Sequence, residues 1–137
     1  SFFGGNIITK FALEFLPKKI KPKYYINSGV VLNKFEDYEF FPEQTLSVDG
    51  INIYISFLGG MKIEIKDIQL IDINNKISTI SLTRSFAGSK SAFLDNTNTE
   101  LITYLILNEN DEVLNIDFFE EFKNINKILL RMKFYSS

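Results

Sequence analysis

Ile51-Asn52-Ile53-Tyr54-Ile55-Ser56-Phe57, Leu58-Gly59-Gly60 and Met61-Lys62-Ile63-Glu64-Ile65-Lys66 together decide the fold class. On either side of the glycines, apolar and polar residues alternate. A period of two places one set of side chains on a buried face and the other in water, which is the pattern of a half-buried strand. Gly59-Gly60 reads as the turn between two such strands, and Asp49-Gly50 just upstream reads as a further hairpin turn.

Downstream, the apolar phase slips from Ile65 to Ile68, a step of three that a β-bulge near Asp67 would absorb. Leu70, Ile71 and Ile73 lead to an Asn74-Asn75 turn, followed by Ile77, Ile80 and Leu82. Residues 85–98 have no period and read as a loop. Leu101 to Leu107 is apolar on both faces, and Val113 to Phe118 and Ile128 to Phe134 supply the last strands. Upstream, Tyr24 to Leu32 is a further strand. Asn33 with Glu36, and Asp117 with Glu120, have capping-box spacing and predict short helical turns. The sum is a mainly β chain, an antiparallel β-sandwich of seven to nine strands. Its pattern is immunoglobulin-like or jelly-roll-like, without the Cys–Trp–Cys core of the former.

The N-terminal end reads differently. Ile7, Phe11 and Phe15 recur at four-residue intervals after Asn6, and Pro17 ends the run, which predicts a short N-terminal helix or arm. Phe11, Leu13 and Phe15 also alternate, so a strand stays open. Residues 1–23 are therefore expected to form an arm and basic connector, and residues 24–137 the β-domain. Residues 1–34 hold six lysines and one glutamate, a net +5, while the remainder has nine basic and sixteen acidic groups, a net −7.

The chain of 137 residues has no His, no Cys and no Trp, but 14 Phe and 6 Tyr. That removes the usual proton shuttle, the thiol nucleophile, disulfides and the commonest transition-metal ligands. Carboxylates remain for acid–base work, at Glu64, Asp67, Asp72, Asp95 and Glu100, but no spacing selects a pair. Ser85, Ser89 and Ser91 lie near Lys90 without the Ser-x-x-Lys interval. Gly88-Ser89-Lys90-Ser91 lacks the upstream glycine and the following helix of a phosphate loop. The Asx-rich stretches 95–100 and 108–112 lack the glycine and glutamate of a helical calcium loop, so no metal or cofactor is expected.

The expected function is non-catalytic, a structural or protein-interaction module of a cell-envelope, secreted or phage-type assembly. Its partner is a protein or a second copy of the chain. Two aromatic groups are the candidate contact residues, Phe3, Ile7, Phe11 and Phe15 in the arm and Phe118, Phe119 and Phe122 near the C-terminus. Lys18, Lys19, Lys21 and Lys23 are candidates for an anion or lipid surface, so a peripheral lipid or glycan binder using them or the 85–98 loop is the alternative. Arginine is confined to Arg84 and Arg131 and the body is acidic, which argues against nucleic acid. A carboxylate hydrolase using Asp67, Asp95 or Glu100 ranks last.

Overall fold

The computed structural model describes residues 7–21, 25–26, 30–58, 61–80, 86–87, 103–107 and 111–135, with side-chain surroundings for 10–21, 30–56, 62–80 and 113–135. Nine strands are found among them. They are β1 (Ile7–Leu16), β2 (Tyr25–Ile26), β3 (Glu36–Phe40), β4 (Leu46–Leu58), β5 (Met61–Asp72), β6 (Ile77–Thr79), β7 (Phe86–Ala87), β8 (Thr103–Leu107) and β9 (Asp111–Tyr135). Every ladder is antiparallel. One isolated parallel bridge joins Leu32 to Phe134.

The 25-residue β9 organises the rest. On one edge it pairs first with β4 and then, nearer the C-terminus, with β3. On the opposite edge it pairs with β7 and then with β5. Beyond β4 lie β1 and β2, and beyond β5 lie β6 and β8. Gly59 and Gly60 separate β4 from β5 in sequence, yet β9 lies between those strands in the sheet. The long closing strand thus occupies the place that a simple hairpin would have given to its neighbours.

One core serves both halves of β9. Ile51, Ile53 and Ile55 of β4, Ile63, Ile65 and Ile68 of β5, and Leu114, Ile128, Leu130, Met132 and Phe134 of β9 are all fully buried. Phe11 of β1 meets Tyr38 and Phe40 of β3 and Phe134 of β9 edge-on, at ring-centroid distances of 5.1, 5.7 and 5.3 Å. Edge-to-face pairs align the positive rim of one ring with the negative face of another, adding about 0.5–1.5 kcal/mol each beyond area burial. These contacts tie β1 to strands at the far end of β9.

Four sequence expectations are corrected here. Residues 7–16 are strand β1, not a helix. Both periods fit the local sequence, and pairing with β4 along the whole of β1, from Ile7↔Leu58 to Leu16↔Gly50, selects the extended form. Asp49-Gly50 does not turn the chain, since both lie inside β4. A Cβ at Gly50 would stand 2.8 Å from the carbonyl oxygen of Ile116, so this glycine serves a close approach of backbones. Asn33 does not cap a helix. It takes φ 61° and donates its N–H to the carbonyl of Phe134 at 2.6 Å, and β3 follows. Asp117 and Glu120 lie within β9.

Other expectations agree with the structure. A register shift falls between Ile65 and Asp67, as the apolar phase slip required. Asn75 turns the chain at φ 62°, with Asp72 Oδ1 accepting from the N–H groups of Asn74 and Lys76.

Candidate functional site

The longest irregularity in the sheet lies on β9. Val48 pairs with Phe122 and Gly50 with Asp117, so β4 advances two residues while β9 advances five. The surplus is expelled from the ladder as a bulge over residues 118–121. Phe119 sits in its middle at φ 58°, a region that bulky side chains rarely occupy. Its N–H donates to Asp117 Oδ1 at 2.7 Å, an Asx turn that holds the bulge. Phe118 is 7 % exposed and packs edge-on against Phe122 at 6.0 Å, anchoring the base. Phe119 is 55 % exposed. Glu120 and Glu121 beside it are exposed, and Glu121 lies 3.9 Å from Lys123. The result is an aromatic tip with an acidic rim.

A second surface lies at the other end of β9, on the outward face of β3, β9 and β5. Lys62 and Lys133 each place an ammonium 4.7 Å from the ring centre of Tyr135. Lys66 and Lys133 each stand 5.6 Å from the ring of Phe35. Cation–π pairs of significant strength occur about once per 70–80 residues, so four on two rings mark a concentration of positive charge around aromatic surface. Beneath them Glu64 is buried and accepts a hydrogen bond from the Tyr135 hydroxyl at 2.5 Å. Arg131 is engaged elsewhere, donating to both carboxylate oxygens of Asp37 at 2.6 and 2.9 Å. That bidentate bond, reinforced by the charge, holds the Asp37 carboxyl below its ordinary range against the cost of burial, and raises Arg131.

The outward face of β1, β4 and the first half of β9 carries a polar row that the sequence reading missed. Glu14, Asn52 and Asn115 are register partners across three strands. Glu14 Oε1 accepts from Asn52 Nδ2 at 2.8 Å and from Tyr54 Oη at 2.9 Å, while Asn115 Nδ2 donates to Asn52 Oδ1 at 2.7 Å. Lys21 stands 3.9 Å from Glu14 Oε2 and 5.2 Å from the Tyr54 ring. Burial pushes the Glu14 carboxyl up, but the bonds from Asn52 and Tyr54 and the charges of Lys21 and Lys19 outweigh it, so the net direction is down. The signal was a lone glutamate in the apolar run 11–16, facing a strand whose polar positions are Asn52 and Tyr54.

The expected site residues divide accordingly. Phe11 and Phe15 are core side chains at 0 % and 2 % exposure, so they do not belong to a docking stripe, because the interior already covers them. Ile7 is in β1 with its side chain outside the described residues, and Phe3 and Lys23 also lie outside them. Lys18 and Lys19 are exposed at the turn after β1, and Lys21 is tied to Glu14. Asp72 shapes a turn. Asp95, Glu100 and most of the 85–98 loop fall outside the described residues. Among the described residues, Phe118, Phe119 and Phe122 are brought together on one bulge.

A shallow groove of about 470 Å³ runs between the turn after β1 and the β3–β4 connection, lined in part by Ile20, Lys21, Phe41 and Leu46. Among the described residues, no group of three or more acidic, His or Cys side chains can hold a metal ion. No helix among them is long and apolar enough to cross a membrane. Comparison with protein-family models, with curated proteins and with solved structures finds no match for this chain.

Proposed function

We propose that this chain is a non-catalytic protein-interaction or structural module on an antiparallel β-sandwich, and that it engages its partner through the bulge of β9. The sandwich reading is supported by the edge-on contacts of Phe11 with Tyr38, Phe40 and Phe134, which set β1 against β3 and the C-terminal half of β9. The observation that carries the function is Phe119. A large apolar side chain is held outward, in a strained backbone conformation, by an Asx turn on a buried aromatic base. Left-handed φ at a bulky residue costs about 1–3 kcal/mol and persists where the surroundings over-determine it, typically at functional positions. The non-catalytic part is supported by the engagement of Glu14 and Glu64, the two buried carboxylates among the described residues. The lipid or glycan alternative is weaker, since Lys21 of the basic connector is bound to Glu14 and lies over Tyr54.

The test is a photo-crosslinking amino acid placed at position 119 in the full chain, in its native cell. Position 113 serves as control, because Val113 is also exposed, at 45 %. Protein adducts from 119 in excess of those from 113 are the expected result. Equal or absent adducts refute the reading.

A further inference from the structure

We propose that the partner is a second copy of this chain, bound head to tail, with the Phe119 tip of one copy seated on the lysine–aromatic face of the next. This rests on the reading above, that the bulge is an interaction surface, and names its occupant. The first argument is charge. The tip carries Asp117, Glu120 and Glu121, with Lys123 3.9 Å from Glu121. The face carries Lys62, Lys66 and Lys133 around Phe35 and Tyr135, while its acidic members are largely engaged. Glu64 is buried under Tyr135, Asp37 is locked to Arg131, Asp67 lies within the electrostatic reach of the same arginine, and Glu36 stands 3.5 Å from the Lys34 ammonium. Opposite potentials on two surfaces of one molecule steer copies together and fix which surface meets which.

The second argument is shape and chemistry. The tip is a projecting ring with carboxylates at its base. The opposing face offers two rings whose flanks carry ammonium groups, so ring meets ring while Glu120 and Glu121 meet lysines. The third is topology. Both surfaces include residues of β9, and the laddered stretch from Ile125 to Lys133 keeps the face roughly 26 Å from the bulge at a strand's rise of about 3.3 Å per residue. The tip therefore meets such a face on another copy. Because the two surfaces differ, the contact is heterologous, and repetition makes a ring if the rotation closes or a filament if it does not. A tip this small predicts weak association that rises with concentration and falls with salt.

The test is a charge swap in the full chain, followed by sedimentation velocity over a concentration series at low and high salt. One variant is Lys62→Glu with Lys66→Glu, and the other is Glu120→Lys with Glu121→Lys. Each alone sets like charges against like, so each is expected to weaken self-association by about tenfold or more relative to the unaltered chain. An equimolar mixture presents acidic face to basic tip and basic face to acidic tip, and is expected to restore association. If the first variant fails to fold, Lys66→Glu alone against Glu121→Lys alone makes the same comparison. A monomeric unaltered chain at every concentration overturns the proposal, as do variants that associate normally or a folded mixture that fails to recover. Crosslinks from position 119 to a different protein, with no self-association, would remove this proposal and leave the interaction reading standing. Absent crosslinks would remove both.

Discussion

Replacing Phe11 by alanine measures whether the first strand belongs to the core. Phe11 is fully buried and touches Tyr38, Phe40 and Phe134 edge-on. Deleting a buried phenylalanine ring typically costs about 3–5 kcal/mol from lost transfer energy and the cavity left behind. Three aromatic contacts, two from β3 and one from β9, place this site at the upper end, about 4–5 kcal/mol. Set against a total stability of about 5–15 kcal/mol, that is a large fraction. With a urea slope near 2 kcal/mol per molar, the unfolding midpoint falls by about 2 M. Urea titration followed by far-UV circular dichroism and tyrosine fluorescence reads the shift, the chain having no tryptophan. Phe11→Leu keeps most of the apolar area and loses the ring contacts, so its cost should be intermediate, about 1.5–3 kcal/mol. Phe119→Ala, at an exposed ring, is expected to move the midpoint by less than about 0.3 M. A Phe11→Ala shift below about 0.5 M, or one no larger than that of Phe119→Ala, would refute the placement of residues 7–16 in the core.

Three further outcomes follow from particular contacts. Gly50→Ala forces a Cβ to 2.8 Å from the Ile116 carbonyl oxygen, and the backbone must shift, so a loss of about 1–3 kcal/mol is expected in the same titration. Glu14 titrates below its ordinary 4.5, so its charged form stabilises the fold above that pH, and the contribution is lost as pH falls through the lower folded value. Glu14→Gln should therefore be less stable than the unaltered chain at neutral pH, with the two urea midpoints converging as the pH falls below 4.5; a gap that widens there contradicts the assignment. Asp37 and Arg131 are both about two-fifths exposed. Despite their bidentate geometry, a double-mutant cycle with Asp37→Ala and Arg131→Ala should give a coupling of only about 0.5–1 kcal/mol, shrinking in high salt.

The β character was readable because a period of two is local information. Ile51, Ile53 and Ile55 point inward in the fold as the alternation required, and the slip after Ile65 became a real bulge. What could not be read was whatever depends on distant pairing. Residues 7–16 satisfy both a helical and an extended period, and β4, more than thirty residues away, decides between them. Asp49-Gly50 has the composition of a turn, but Gly50 is selected by the carbonyl of Ile116 pressing against it from β9. Asp117 does make the side-chain-to-backbone bond that a cap would make, though to Phe119 inside a strand bulge. The same local chemistry therefore supports two structures, and the ladder with β4 selects one.

The candidate site was partly visible for a similar reason. Three phenylalanines within five residues, at 118, 119 and 122, mark an aromatic cluster in any fold. Which of them faces water depends on the surplus residues of β9 relative to β4. Phe35 and Tyr135 lie a hundred residues apart, and their shared lysine, Lys133, meets both only because Leu32 and β3 run beside the last strand. No window of sequence contains that surface.

Hydroxyl-radical footprinting of the full chain at low and high protein concentration tests the self-docking of the Phe119 bulge most directly, because it reads each aromatic side chain separately. Phe119, Phe35 and Tyr135 should lose reactivity together as concentration rises, while Phe41, at 57 % exposure, stays equally reactive. Unchanged oxidation of Phe119 at a concentration where the chain is associated, or protection of Phe41 in its place, would contradict the account.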